Sequence, residues 1–257
     1  MAPYTQRAVS SLKETSQRIR TQDPGSWYTA FNSRRWAVLL ELIGRHFRGP
    51  ETTILDVGYS KFTELVHDRF GVPIDTLGFF GNQPTPFGQG YWFDLNSAQK
   101  EEAWRRDIPS YDIVVLAEVI EHLYTAPRLV LRFLRTLVKP EGVLIIQTPN
   151  ATALHKRLKI IIGRHPYEMI RENTNDPGHF REYTRKELCG VAEEAGFQIL
   201  DWGAYNYFDY RYHPQAGERP WLRRAGAVMN LAYLLTPPSL RMGQTLVVRP
   251  RPSSDAN

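Results

Sequence analysis

The stretch Thr53-Ile54-Leu55-Asp56-Val57-Gly58 decides the fold. Its apolar, β-branched residues predict a short buried strand, and the glycine predicts a tight turn into a helix at 62–70. Strand and helix patterns continue to alternate along the chain. Parallel strands need such alternation, because each crossover between them is usually a helix. We therefore expect an α/β fold with a doubly wound, mainly parallel sheet.

The other strand candidates share a short, apolar and β-branched composition. They lie at 72–80, 91–95, 112–117, 142–148, 197–202 and 244–248. The segment 112–117 is almost entirely apolar, which is typical of a strand covered on both faces. A two-faced helix is predicted at 126–138 with Thr125 as its N-cap, and a capping box opens another helix at Thr184.

The domain organisation follows from these elements. Residues 1–49 form an N-terminal helical extension, with an amphipathic helix at 27–47, and residues 50–250 form the α/β domain. Two insertions are expected within that domain: a substrate lid at 151–183, after the fifth strand, and a segment at 209–243 between the last two strands. Residues 251–257 are a tail.

Composition excludes several classes of protein. The 257 residues are 42% hydrophobic and 23% charged, an ordinary globular balance. Cys189 is the only cysteine, which rules out an intrachain disulfide and a cysteine metal cluster. The net charge of +5 favours an anionic partner, but nucleic acid is disfavoured because no zinc-finger, RNP or arginine-rich pattern occurs. No apolar run suits a signal peptide or a membrane span, so we predict a cytoplasmic protein.

The functional residues should follow the strands. In an open α/β sheet, ligands bind outside the carboxyl ends of the strands, where the strand order reverses. Gly58 follows the first predicted strand, and Asp94 lies at the end of the third. Glu118, Glu121 and His122 follow the fourth.

The residues at these positions resemble a known family. The motifs are 54–58, Tyr111-Asp112-Ile113-Val114-Val115-Leu116-Ala117-Glu118-Val119-Ile120-Glu121-His122-Leu123, then 139–146, 178–184 and 195–197. In this order, across roughly residues 50–203, they resemble the class I S-adenosylmethionine-dependent methyltransferases. The resemblance implies the Rossmann-like methyltransferase fold, with S-adenosylmethionine as the methyl donor.

The resemblance also implies a role for each matching position. Asp56 and Gly58 would line the methionine end of the cofactor, and Ser60 can bond it through its hydroxyl. Ala117 and Glu118 would face the methionyl amino group. In the same way, Asp94 with Leu95 would hold the adenine.

Two positions depart from the family pattern. Ser60 and Phe62 replace the second and third glycines of the loop, and we expect Phe62 to begin the helix and pack in the core. The second strand lacks the usual terminal acid for the ribose hydroxyls, because its predicted end is Leu77-Gly78-Phe79-Phe80. Asp75 falls near that strand's beginning.

His122 and His179 are the catalytic candidates, since a histidine suits the removal of an acceptor's proton. For His122, bonding a neighbouring loop is an equal alternative, and for His179 the alternative is an ordered turn donor. Glu121 is interpreted as a solvated helix residue. No metal site is predicted, because no spacing such as His-Glu-x-x-His occurs.

Two helical segments could contact a partner. The basic residues within 151–168 favour a solvated helix face, with recruitment of an anionic acceptor as the alternative. The apolar stripe of the later insertion favours core or a subunit contact, with a membrane-surface helix as the alternative. That stripe consists of Trp221, Leu222, Ala225, Val228, Met229, Ala232 and Leu235.

The functional prediction is an S-adenosylmethionine-dependent methyltransferase. Its acceptor would be a small molecule or a glycan- or lipid-linked compound, methylated at oxygen. The first alternative is a non-catalytic binding or scaffold protein of the same fold, motivated by the missing ribose acid. A nicotinamide-dependent oxidoreductase is disfavoured, because its Gly-x-Gly-x-x-Gly fingerprint keeps only Gly58 here. The oligomeric state stays open.

Overall fold

Seven strands form one sheet in a computed structural model that describes residues 6–79, 83–173, 177–212 and 220–252. The strands are β1 (Ile54–Val57), β2 (Ile74–Gly78), β3 (Gly90–Trp92), β4 (Tyr111–Ala117), β5 (Val138–Pro149), β6 (Phe197–Tyr205) and β7 (Gly243–Pro250). Their order is β3-β2-β1-β4-β5-β7-β6, so the strand order reverses between β1 and β4. The carboxyl ends of those two strands are where a ligand is expected.

Strand pairing is parallel from β3 to β5 and antiparallel at β7. β1 pairs in parallel with both β2 and β4, with Asp56 beside Thr76 on one side and Val115 on the other. β7 runs antiparallel to β5 and to β6. This sheet confirms the predicted α/β fold with a doubly wound, mainly parallel sheet.

Helices cover both faces of the sheet. They are α1 (Gln6–Gln22), α2 (Trp27–His46), α3 (Lys61–Phe70), α4 (Pro127–Thr136), α5 (Leu154–Ile161), α6 (Arg185–Glu194) and α7 (Pro220–Leu234). Side chains alternate across β1, since successive residues of a strand point to opposite faces. Ile54 joins the core under α2 and α3, whereas Leu55 and Val57 join the core under α4 and α6.

Three predicted boundaries were wrong. β3 ends at Trp92, so Asp94 and Leu95 lie beyond the strand, where Asp94 caps a 3-10 turn, Leu95–Gln99. β2 begins only after Pro73, which has no N–H for a ladder. Thr125 does not cap α4, because its hydroxyl donates to the Asn96 carbonyl at 2.7 Å. Phe80, at the predicted end of the second strand, lies outside the described residues.

The insertion between β6 and β7 exposes its apolar stripe. Trp221, Val228 and Leu235 are 62%, 67% and 82% exposed. The expectation that they belong to the core was therefore wrong, and a subunit contact stays a prediction. The face of α7 that packs inward includes Asn230 and Tyr233. Within the described ranges, no helix combines the length and the apolar character that crossing a membrane requires.

Candidate active site

Gly58 sets the shape of the loop after β1. Its φ angle is +99°, in the left-handed region where a side chain is strained. Its N–H donates to the Leu77 carbonyl at 2.9 Å, which ties the turn to the end of β2. A Cβ placed on Gly58 would meet only Val119, at 3.8 Å. The space in front of the loop is therefore open to a ligand.

Asp56 lies buried one position before the end of β1. Its carboxylate accepts a hydrogen bond from Thr63 Oγ1 at 2.7 Å. Burial raises the pKa of Asp56 to about 7, while the bond from Thr63 and the charge of Arg35 pull that pKa down. The Asp56 carboxyl group therefore changes its charge near neutral pH.

Ser60 begins α3. Its hydroxyl oxygen accepts from the Phe62 N–H at 3.2 Å, and Thr63 Oγ1 accepts from the Ser60 N–H at 3.1 Å. This reciprocal pair is a capping box. Phe62 is 3% exposed, which confirms that it packs in the core, but the helix begins one residue earlier than predicted, at Lys61. Ser60, which replaces a glycine of the family pattern, thus caps the N-terminus of α3 next to the loop after β1.

Glu118 follows β4 in a strained conformation. Its φ angle of +55° is the one positive value among the described non-glycine residues. Glu118 Oε2 lies 3.6 Å from Arg35 Nη1, whereas Oε1 is buried without a hydrogen-bond partner in the described part of the chain. Burial raises the pKa of Glu118 against the charges of Arg35 and Lys156. A strained residue with an orphaned oxygen at a strand end is typical of a binding site.

A cavity of about 300 Å³ opens between β1 and β4. It brings together most of the predicted cofactor residues. The lining residues are Tyr28, Arg35, Trp36, Asp56, Val57, Gly58, Tyr59, Ser60, Phe62, Ala117, Glu118, Val119 and His122. The sequence did not single out Tyr28 or Arg35, because α2 reaches this edge only through the tertiary fold.

Asp94 and Leu95 do not line this cavity. The Asp94 carboxylate accepts from the Asn96 N–H at 2.9 Å, and Leu95 is 5% exposed in the core. Their predicted contact with the adenine stays a prediction.

The end of β2 has no carboxylate in the described part of the chain. β2 ends at Gly78, and Phe79 after it is 69% exposed. Asp75 is engaged at the opposite end of the sheet, where its carboxylate accepts from Tyr111 Oη at 2.8 Å and from the Gln89 N–H at 2.7 Å. The described residues at the end of β2 therefore offer no acid for the ribose hydroxyls, which is the departure from the family pattern that the sequence indicates.

His122 and His179 come together from distant segments. Their rings are nearly perpendicular, with centroids 4.7 Å apart. Nδ1 of His122 lies 2.9 Å from the Gly178 carbonyl, the loop-bonding role weighed for it, and Nδ1 of His179 lies 3.2 Å from Glu182 Oε1. Burial, with His122 and Lys156 nearby, lowers the pKa of His179 to about 4. This imidazole is neutral at physiological pH and offers a lone pair.

Glu121 is buried completely, so its interpretation as a solvated helix residue was wrong. Its Oε2 accepts from Thr148 Oγ1 at 2.9 Å, and its main-chain carbonyl accepts from the Phe180 N–H at 2.8 Å. Oε1 is buried without a hydrogen-bond partner. Burial, and then the neighbouring charge of Glu118, raise the pKa of Glu121 well above its usual range.

Lys156 is likewise buried, whereas the sequence placed it on a solvated basic face. Its ammonium pairs with Glu182 and donates to the Asn150 carbonyl at 3.1 Å. Burial lowers the pKa of Lys156 to about 8. The apolar residues of α5 point the other way, with Ile160 and Ile161 61% and 78% exposed. The prediction was therefore wrong for Lys156, whereas Arg157 and Lys159 are exposed as predicted.

A second cavity, of about 580 Å³, lies against the histidine pair. His179 lines this cavity and His122 lines the first one, so the two spaces meet at the two rings. The walls of the second cavity are formed by Ala151, His165, Tyr167, Glu168, Met169, Ile170, His179, Phe180, Arg181, Glu182, Thr184 and Glu187.

Comparison with known proteins places the chain in a family. A family model described as a methyltransferase domain matches residues 28–201. A ubiquinone biosynthesis O-methyltransferase of Aeromonas salmonicida (strain A449) is 31% identical over 46% of this chain, which spans only 49% of that relative. The protein of the same description from Rickettsia canadensis (strain McKiel) is 27% identical over 66% of this chain and 73% of its own length.

Solved structures share the fold. A SAM dependent methyltransferase from Archaeoglobus fulgidus is similar over 91% of this chain and 98% of its own, with a TM-score of 0.52 and 14% identity. Coclaurine N-methyltransferase is similar over 97% of this chain and 90% of its own, with a TM-score of 0.54 and 10% identity.

The chain therefore belongs to the methyltransferase domain family. Its sheet has the Rossmann-like α/β fold, which it shares with a solved SAM dependent methyltransferase. The residues of the first cavity fit S-adenosylmethionine, because the space before Gly58 is open and a buried oxygen of Glu118 lacks a partner that an ammonium can supply. The pattern departs from the family at the ribose, for which the described end of β2 offers no acid.

Proposed function

We propose that this protein transfers the methyl group of S-adenosylmethionine to a hydroxyl oxygen of a small-molecule or glycan-type acceptor. The observation that carries the proposal is the meeting of two cavities at His122 and His179. One cavity has the features of a donor site, and the other has room for an acceptor. Methyl transfer is a direct displacement, so holding the two reactants at one junction supplies much of the catalysis.

The donor would be held from both strand ends. Gly58 lets the backbone approach the donor, and Ser60 offers its hydroxyl at the start of α3. Ala117 and Glu118 would face the methionyl ammonium, with Asp56 behind the loop. Asp94 and Leu95 remain the proposed adenine contacts, reached from beyond β3.

The acceptor would lie in the larger cavity, under the proposed lid at 151–183. Tyr167, Met169, Ile170 and Phe180 give this cavity apolar and aromatic walls. Such walls favour an acceptor with an apolar body over a bare sugar, since burial of apolar surface drives binding. The relatives described as O-methyltransferases support oxygen as the methylated atom.

The two histidines would assist the loss of the acceptor's proton. The acceptor oxygen forms a bond to the methyl carbon while the carbon–sulfur bond breaks and its electron pair returns to sulfur. A neutral hydroxyl must also lose its proton during this transfer. The histidine pair is the set of lone-pair donors at the junction of the cavities, which supports this role.

A labelled-methyl screen tests the proposal. The protein is incubated with methyl-deuterated S-adenosylmethionine and host extract, which is then fractionated into lipid, glycan and small-molecule pools. We expect one product carrying a single deuterated methyl group on oxygen. His122→Gln should reduce that product at least about tenfold, whereas His67→Gln, which also changes a half-buried histidine bonded to a carbonyl, should not. Absence of any labelled product would contradict the proposal.

One observation favours a second candidate, a non-catalytic binding protein of the same fold. The described end of β2 lacks an acid for the ribose hydroxyls, which weakens donor binding. Calorimetric titration with S-adenosylmethionine and S-adenosylhomocysteine separates the two functions. A folded protein that binds neither compound would support the second candidate.

A further inference from the structure

Three potential metal ligands converge at the junction of the two cavities. A carboxylate oxygen of Glu121 and one ring nitrogen each of His122 and His179 all lie within 4.8 Å of one another. Glu121 and His122 come from the turn after β4, and His179 reaches the same point from the segment before α6. These three side chains form a group that could hold one metal ion.

Hydrogen bonds already orient both imidazoles as ligands. The Gly178 carbonyl can only accept, so Nδ1 of His122 carries a proton and Nε2 carries the lone pair. Nδ1 of His179 faces the Glu182 carboxylate in the same way. Metal-bound histidines almost always donate their second nitrogen to a carbonyl or a carboxylate. Both rings therefore already have the second hydrogen bond that a metal-bound histidine makes.

Glu121 supplies an independent sign of a missing partner. Its side chain is fully buried, and Oε1 finds no hydrogen bond among the residues that the structure describes. Buried polar oxygens without partners are rare and costly. Moreover, Glu118 pairs with Arg35 and Glu182 pairs with Lys156, whereas Glu121 has no ion pair among the residues that the structure describes.

We propose that Glu121, His122 and His179 bind one divalent transition-metal cation, such as Mn²⁺, Fe²⁺, Co²⁺ or Zn²⁺. Two imidazoles and one carboxylate are the donor set that these ions accept, whereas Mg²⁺ and Ca²⁺ prefer oxygen ligands. Three protein ligands leave coordination positions open, as in catalytic rather than structural sites. The open positions would face the two cavities that the histidines line.

This site specifies how the two histidines serve the proposed function, on which its catalytic role rests. The acceptor hydroxyl would bind the cation, which lowers the pKa of a bound oxygen, and would release its proton to water. The oxygen then forms the bond to the methyl carbon as the carbon–sulfur bond breaks. The histidines would hold the cation instead of taking the proton themselves.

The proposal replaces the expectation of no metal. That expectation was based only on motifs whose ligands lie a few residues apart, such as two histidines on one helix turn. Here the third ligand follows the adjacent pair by more than fifty residues. The fold alone brings His179 to the pair.

Cobalt binding tests the site without any turnover. The full chain is freed of metal with a chelator and titrated with Co²⁺, followed by calorimetry and by the visible absorption of the ion. We expect one Co²⁺ per chain. Glu121→Gln and His179→Gln should each weaken binding at least about 100-fold, and Glu182→Gln, which acts through His179, about tenfold. His67→Gln, which keeps all three ligands, should bind Co²⁺ like the wild type.

Circular dichroism of each variant identifies any that fails to fold, and His122→Gln then replaces it. Absence of Co²⁺ binding by the wild type up to about 1 mM, or wild-type affinity in both ligand variants, would overturn the site. Metal binding with no methyl transfer to any acceptor would leave the site standing and refute the proposed function. Methyl transfer that is unchanged after chelation would refute the role of the ion.

Discussion

The proposed donor cavity, which opens between β1 and β4, and the proposed acceptor cavity, which His179 lines, adjoin one pair of histidines, yet they are built in different ways. The donor cavity is formed mainly by two short loops that directly follow β1 and β4, and their residues are adjacent in the sequence. The acceptor cavity takes its walls from residues scattered between Ala151 and Glu187. Glu182, which lines this cavity, pairs with the buried Lys156 across 26 residues of chain.

This difference shows which parts of a structure can be predicted from sequence patterns. A loop that follows a buried strand begins where the strand ends, so the strand pattern predicts the position of its residues. The position of a segment that folds back over the sheet depends instead on which of its side chains become buried. On α5, Lys156 is buried while Ile160 and Ile161 are exposed, which reverses the usual rule for these residues.

The largest expected effect is on the acceptor side. Lys156→Met leaves the buried carboxylate of Glu182 without its cation, so the free energy of unfolding should fall by about 3–5 kcal/mol. Urea titration measures this change. The matched control is Lys159→Met on the exposed face of α5, with a change within about 0.5 kcal/mol. Equal effects of the two substitutions would show that the pair of Lys156 and Glu182 does not stabilise the fold.

On the donor side, Asp56→Asn should change how stability depends on pH. The folded pKa of Asp56 is about 7, whereas its ordinary value is 3.8, so between pH 3.8 and 7 the folded chain binds a proton that the unfolded chain has lost. Wild-type stability is thus lost as the pH rises from about 4 to 7, and Asp56→Asn removes that loss. Above pH 7 the variant should be more stable by up to about 4 kcal/mol.

Asp107→Asn is the control for this experiment. Arg105 lowers the pKa of Asp107 to about 2, so Asp107 stays charged throughout the window between pH 4 and 7. Its substitution should shift stability equally across that window, as measured by urea titration at each pH. A constant difference between wild type and Asp56→Asn would contradict the raised pKa.

Gly58→Val tests the loop geometry of the donor cavity. A β-branched residue at a φ angle of +99° is strained, so stability should fall by about 2 kcal/mol and donor binding should weaken. Thermal unfolding and calorimetry with S-adenosylhomocysteine measure the two effects. Gly190→Ala in α6, where a Cβ has open space, should instead leave stability unchanged or slightly raised. Wild-type binding by Gly58→Val would refute the role of this turn.

The smallest effect is expected on the exposed side of α5. Ile161 is 78% exposed, so Ile161→Ser should change stability by less than about 0.5 kcal/mol in urea titration. Ile145→Val in the buried β5 should cost about 1 kcal/mol. A larger loss for Ile161→Ser than for Ile145→Val would mean that Ile161 packs against the fold.

The sequence was informative where strands and their loops decide the structure. The doubly wound sheet, the core packing of Phe62 and the capping box at Thr184 were all predicted. Each follows from residues within a few positions of one another.

What the sequence could not predict depends on tertiary contacts. Arg35 reaches Glu118 from α2, and no local pattern links these two residues. Glu121 stands on a short turn where a charged residue is usually solvated, but its side chain is fully buried and accepts from Thr148 Oγ1, which lies on β5. Asp94 was placed at a strand end because the aromatic run before it resembles strand, whereas pairing with β2 stops at Trp92.

The most direct test of the central claim is the calorimetric titration of the folded chain with S-adenosylhomocysteine. We predict one site per chain with micromolar affinity, despite the missing acid at the end of β2. Glu118→Gln should weaken binding at least about tenfold, and Lys159→Met on the acceptor side should leave it unchanged. If the wild type binds neither S-adenosylhomocysteine nor S-adenosylmethionine, or if Glu118→Gln binds as well as the wild type, the donor site is not where we place it.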